Sequence, residues 1–160
     1  MTMHATSSIP MRKSANTVRN RLRPDRRDAT RWVIAAFYLV AGYFHLAAPA
    51  PFLQIMPDWV PYPVEVVYWT GIAEIAGAAA LLQPAGPLLR KAGAIGLALY
   101  ALCVWPANAN HMLIDMARGD GGLGMAYHVP RMLAQPLLIW ATLWCARVTD
   151  WPFGNRSGRS

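Results

Sequence analysis

Six polar residues interrupt the apolar stretches of this sequence: His45, Glu74, Asn108, His111, Arg131 and Gln135. Their types are those that carry protons or hold a polar ligand. A lone carboxylate in an apolar segment needs a cation, hydrogen-bond donors or a proton, because an isolated charge is poorly solvated there. Arg131 is the cation whose position matches that of Glu74, and a guanidinium fork can grip a carboxylate through two hydrogen bonds. The sequence therefore predicts that Glu74 is either paired to Arg131 or neutral, with His45, Asn108, His111 and Gln135 completing a network; were His45 the closer neighbour, the two could relay a proton. Asn108 and His111 are three residues apart and Arg131 and Gln135 four apart, so each pair shares one face of a helix.

Several chemistries suit such a set. Two histidines on different helices could ligate a b-type haem, but haem also needs a deep crevice, which disfavours it. His, Arg and nearby aromatic residues could form the polar end of a quinone pocket, the stronger ligand reading. A purely structural network that fixes helix register is an equal alternative. No metal is expected, because His45 and His111 lack a cysteine at ligand spacing. Cys103 and Cys145 lie at different helical levels and form no Cys-x-x-Cys, so both read as small core residues. Catalytic residues stay unassigned, and whether the protein is an enzyme stays open.

The elements that position these residues follow from composition. The chain has 160 residues, 55% of them hydrophobic and 14% charged, against about 25% charged in a typical soluble domain. Four apolar segments, at about 32–48, 64–82, 92–114 and 130–146, have the length needed to cross a hydrocarbon core roughly 30 Å thick. Backbone groups in lipid must be paired within the segment, so each is expected to be a helix. The expected fold is an all-α membrane protein, a four-transmembrane-helix bundle. Prolines at 49, 51, 57, 61 and 63 separate the first two segments, Gln83–Pro87 the next two, and Arg118–Gly122 the last two. The small-residue pairs Ala73/Gly77, Ala76/Ala80 and Ala92/Gly96 are expected to let helices approach closely.

Residues 1–31 are polar and basic, without apolar period, and read as a disordered basic cytoplasmic arm; residues 32–150 form the membrane domain and residues 151–160 a short cytoplasmic tail. Eight of the 15 Lys and Arg residues precede Trp32. With Arg90, Lys91, Arg147, Arg156 and Arg159 they place 13 basic residues on one side, against Arg118 and Arg131 on the other. The positive-inside rule then puts both termini in the cytoplasm. The basic arm is a topology anchor and contacts anionic lipid; its placement beside an apolar run argues against nucleic acid as a partner. Ala48-Pro49-Ala50 imitates a signal-peptide cleavage site, but the aromatic run before it reads better as a packed span. The loop from Pro49 to Pro63, with Phe52, Ile55, Met56, Trp59 and Tyr62, rests at the interface or lids the outer end of the bundle.

Gly42-Tyr43-Phe44-His45, then Pro51-Phe52, Ile55 and Pro57, resembles the first-helix and loop signature of DoxX-like membrane proteins. Gly71-Ile72-Ala73-Glu74-Ile75-Ala76-Gly77 resembles their second-helix motif; Trp105-Pro106-Ala107-Asn108 and Arg131-x-x-x-Gln135 resemble the third and fourth. The resemblance covers about residues 32–146 in order, departing at Leu46, where the family pattern has Phe. It implies a four-helix protein of the bacterial inner (plasma) membrane, a membrane subunit of a quinone- or thiol-linked redox complex with a soluble or membrane redox partner. The alternative is a non-catalytic membrane anchor, chaperone or assembly factor.

Overall fold

A computed structural model describes residues 25–120 and 122–153. Five helices follow one another: α1 (Arg26–Ala47), α2 (Ala50–Gln54), α3 (Pro63–Leu82), α4 (Pro87–Met116) and α5 (Met125–Cys145), with no strand among the described residues. Most of the basic arm, residues 1–24, and the tail from residue 154 lie outside the described residues. Residues 26–31 do not belong to a disordered arm. They form the first turns of α1, where Asp25 caps the helix by accepting from the Arg27 N–H, satisfying an otherwise orphaned donor.

Local chemistry explains the other ends. Pro63 and Pro87 stand in the first turns of α3 and α4, where a missing N–H removes no helical bond. The prolines at 130 and 136 lie inside α5, which starts earlier than the apolar pattern suggests. Pro106 lies inside α4 and cannot donate to the carbonyl one turn earlier. α3 and α4 are long and apolar enough to cross a membrane.

The four long helices form a ring in which α1 packs on α3, α3 on α4, α4 on α5, and α5 back on α1. The core at one end joins Ile34, Ala35 and Tyr38 of α1 to Ala78 and Leu81 of α3, Ala94 and Leu97 of α4, and Ala146. Tyr38 Oη donates across the ring to the Leu97 carbonyl at 3.5 Å. At the same end Arg27 pairs with Asp150 and Arg147 with Asp25, each at 2.7 Å. These contacts tie the start of α1 to the chain leaving α5.

Glycine sets the closest approaches. A Cβ on Gly42 would lie 2.7 Å from the Gly71 carbonyl oxygen, and one on Gly71 would lie 2.8 Å from His45 Cβ. One on Gly77 would lie 2.5 Å from Leu97 side-chain carbons, and one on Gly93 would lie 2.5 Å from Ala80 Cβ. Of the expected small-residue pairs, Gly77 and Ala80 thus face α4, but Ala73 and Ala76 are exposed. Ala92 is also exposed, and Gly96 meets nothing within 4 Å. The real seam runs through Gly77 and Ala80 against Leu97 and Gly93.

Candidate functional site

Beside the core, sharing Ile34 and Tyr38 with it, lies a cavity of about 970 Å³. Its walls come from α1, α3, α4 and α5, and residues 52–60 close over one end, with Phe52, Met56 and Trp59 among the lining residues. His45, Glu74, Asn108, Arg131 and Gln135 all line it; His111 stands directly behind Arg131. The six residues singled out by their polarity are therefore brought to one cavity and its immediate wall.

They do not form the expected pair. Among the described residues Glu74 and Arg131 make no salt bridge. Arg131 Nη2 instead donates to Asn108 Oδ1 at 2.6 Å, and Nη1 donates to His111 Nδ1. The guanidinium also lies 5.7 Å from the Tyr127 ring centroid. The reason is the order of the helices. α4 and α5 are neighbours and offer Arg131 two acceptors one turn apart, whereas α3 and α5 face each other diagonally across the cavity.

Glu74 is served from the other side. Its Oε2 lies 3.0 Å from His45 Nδ1. That nitrogen also lies 2.9 Å from the Ala41 carbonyl, and a single ring hydrogen cannot serve both. The N–H aligns with Ala41, so Glu74 Oε2 is in contact with the imidazole yet accepts no hydrogen bond. Gly42 and Gly71 explain the contact: His45 and Glu74 each follow one of these glycines by three residues. Across the antiparallel pair Gly42 lies against Glu74 and Gly71 against His45, so the absent side chains let the two polar residues reach each other. Phe52 stacks on His45 with ring centroids 3.8 Å apart, which fixes the imidazole against the loop.

Two of the lining residues hold a buried side-chain oxygen without a hydrogen bond, Glu74 Oε2 and Gln135 Oε1. Glu74 is 3% exposed and Gln135 9%, so bulk water does not complete their shells. Tyr100 stands beside Glu74 and Thr70. Much of the remaining wall is aliphatic or aromatic. Cys103 belongs to this wall and is exposed, so it is not a core residue; Cys145 is buried, as expected. The loop below α2 is held by Asn110, whose Nδ2 donates to the Ile55 carbonyl at 3.1 Å.

A second polar group lies beyond His111. Asp115 Oδ2 accepts from the Leu123 N–H at 2.7 Å and lies 3.0 Å from His128 Nε2. Asp115 and His128 are 4% and 1% exposed. Sequence reasoning missed both, because they fall outside the apolar segments as cut; the retrievable signal was the helical spacing of Asp115, four residues after His111. In the connecting loop the Gly122 N–H, followed by Arg118, holds Asp120 below the usual carboxylate range.

The chain is thus an all-helical bundle built around a polar-lined cavity, with two helices apolar enough to cross a membrane. It belongs to the family DUF8561, a domain of unknown function, whose profile matches residues 34–146. The match spans α1 from Ile34 to the end of α5 and contains every residue of the cavity described above. None of the curated proteins or solved structures compared matches the chain.

Proposed function

We propose that the cavity binds the head group of a quinone-type amphiphile, and that the chain is the membrane subunit of a redox complex with a soluble or membrane partner. The observation that carries this reading is that Glu74 and Gln135, both lining a largely apolar cavity, each hold a buried side-chain oxygen without a hydrogen bond, which a side-chain rotation would turn toward a ligand. A buried acceptor left without a donor costs about 1–3 kcal/mol. A hydroquinone carries two O–H donors on an aromatic ring and an apolar tail. It can satisfy both oxygens while its ring and tail lie along Phe37, Leu137 and Leu138. Arg131 and Asn108 offer N–H donors to a quinone carbonyl at the same cavity.

In this reading the chain crosses the bacterial inner membrane four times, with both termini cytoplasmic. α1 carries Arg26, Arg27, Asp28, Arg31 and His45, and α5 carries His128, Arg131 and Gln135, which lowers the apolar content of both. Their outward faces still carry Trp32, Val33, Val40 and Phe44 on α1, and Leu133 on α5, all exposed. Lipid is the solvent that accepts such faces. The ordered Gly42–His45, Gly71–Glu74, Asn108 and Arg131–Gln135 motifs further support a relation between this family and DoxX-like proteins.

Mass spectrometry of the lipid extract, with an absorbance spectrum of the purified protein, tests the reading. A co-purifying quinone that is lost in Gln135→Leu at normal folded yield supports it; no quinone in the wild-type extract overturns it. A second reading, a non-catalytic anchor or assembly factor, is favoured by the bonds of Arg131 to Asn108 and His111, which tie α5 to α4. It predicts partner-dependent stability and no bound ligand.

A further inference from the structure

We propose that His111, Asp115 and His128 form a binding site for a divalent transition-metal ion at the α4–α5 hairpin, separate from the cavity's ligand. One ligand-capable atom from each residue lies within 4.8 Å of the other two. Imidazole nitrogens and carboxylate oxygens bind such an ion at about 2.0–2.2 Å. Inward shifts of several tenths of an ångström would therefore close the three atoms around one ion. The elements already converge: His111 and Asp115 stand one turn apart on α4, and His128 enters from the first turn of α5.

The site is supported on its outer side. The Leu123 N–H fixes Asp115 Oδ2 at 2.7 Å, the kind of second contact that orients a ligating carboxylate. Gly122 passes over the same carboxylate at φ 52°, and a Cβ there would run into it. The loop is thus shaped to the carboxylate, and a glycine is required where it crosses. Two nitrogens and one carboxylate suit zinc, iron(II) or cobalt(II); calcium and magnesium prefer an all-oxygen shell, and copper(I) prefers sulfur. His128 Nε2 and Asp115 Oδ2, 3.0 Å apart, share a proton without the ion. On binding, the metal takes the place of that bridging hydrogen, and the neutral imidazole ligates through Nε2 with its N–H on Nδ1.

Arg131 opposes this site. Its Nη1 donates to His111 Nδ1, occupying one imidazole nitrogen and placing a positive charge beside the ion. Shortening Arg131 should therefore tighten metal binding, an effect that an unspecific surface site would not show.

The test uses the full-length chain, freed of any histidine tag, in detergent or nanodiscs, with Zn²⁺ followed by calorimetry and Co²⁺ by its visible ligand-field absorption. One Zn²⁺ per chain is expected. His128→Ala or Asp115→Asn should weaken binding by about tenfold or more, and Arg131→Met should strengthen it. Should His128→Ala fail to fold, the wild type still decides: added Zn²⁺ should raise its melting temperature, and Asp115→Asn should abolish the rise. Absence of both a cobalt band and a zinc-dependent melting shift in the wild type overturns the site. So does an affinity that neither Asp115→Asn nor Arg131→Met changes.

Discussion

Glu74 meets His45, 3.0 Å away on α1, and not Arg131 on α5. The contact follows from Gly42 and Gly71 on antiparallel helices: a Cβ on Gly42 would stand 3.2 Å from Glu74 Cβ and one on Gly71 2.8 Å from His45 Cβ, so each glycine makes room for the polar residue of the other helix. The polar residues therefore split into two sets, one on the α1–α3 wall and one on the α4–α5 wall, with the cavity between them.

This division predicts a coupling pattern. His45→Gln should lower stability by about 1–3 kcal/mol, because it takes the imidazole away from the buried Glu74 carboxylate 3.0 Å off, and it should cost less when Glu74 is already Gln. Glu74→Gln combined with Arg131→Met should be additive, because the two side chains share no partner. Unfolding of the five variants in detergent measures both cycles; coupling between Glu74 and Arg131 would contradict the split.

On the opposite wall, Asn108→Ala and Arg131→Met should be coupled. The Arg131 Nη2 to Asn108 Oδ1 bond is 2.6 Å, and loss of either partner leaves the other with an unmet polar group. Each change should cost about 1–3 kcal/mol, and the second should add little to the first. Thermal melts of the single and double variants supply the comparison.

Helix packing gives a prediction with an internal control. Gly77→Leu must displace Leu97, whose side-chain carbons lie 2.5 Å from where a Cβ would stand, and overpacking of this kind costs about 1–3 kcal/mol. Gly96→Leu meets nothing within 4 Å and should leave the melting temperature unchanged or slightly higher. Equal behaviour of the two variants would show that the α3–α4 seam lies elsewhere.

Filling the cavity should separate binding from folding. Ala134 lines the cavity from α5 and carries no polar contact to lose. Ala134→Phe should lower the amount of co-purified quinone severalfold while the folded yield stays near that of the wild type. Quinone retention unaffected by this change would place the ligand outside the cavity.

Topology is checked by reporter fusions. A fusion at residue 55 or at residue 124 should report the periplasm, and one after Ser160 the cytoplasm. A periplasmic C-terminus would overturn the four-crossing arrangement.

The sequence by itself determined the helices, their approximate limits and the residues that are costly to bury. Apolar length, proline position and isolated polar residues are properties of single segments, so they are visible before any segment meets another. It also placed Gly42 before His45 and Gly71 before Glu74. The tertiary structure decided which polar group meets which. That choice depends on the order of helices around the ring: neighbours α4 and α5 take Arg131 for Asn108 and His111, and the α3–α5 diagonal leaves Glu74 to His45. It also turned Ala73, Ala76, Ala92 and Gly96 outward, exposed Cys103 on the cavity wall, and folded the hairpin loop so that Asp115 and His128 came together. Those outcomes rest on the rotation of each helix about its axis and on contacts between residues distant in the chain, which no periodicity within one segment encodes.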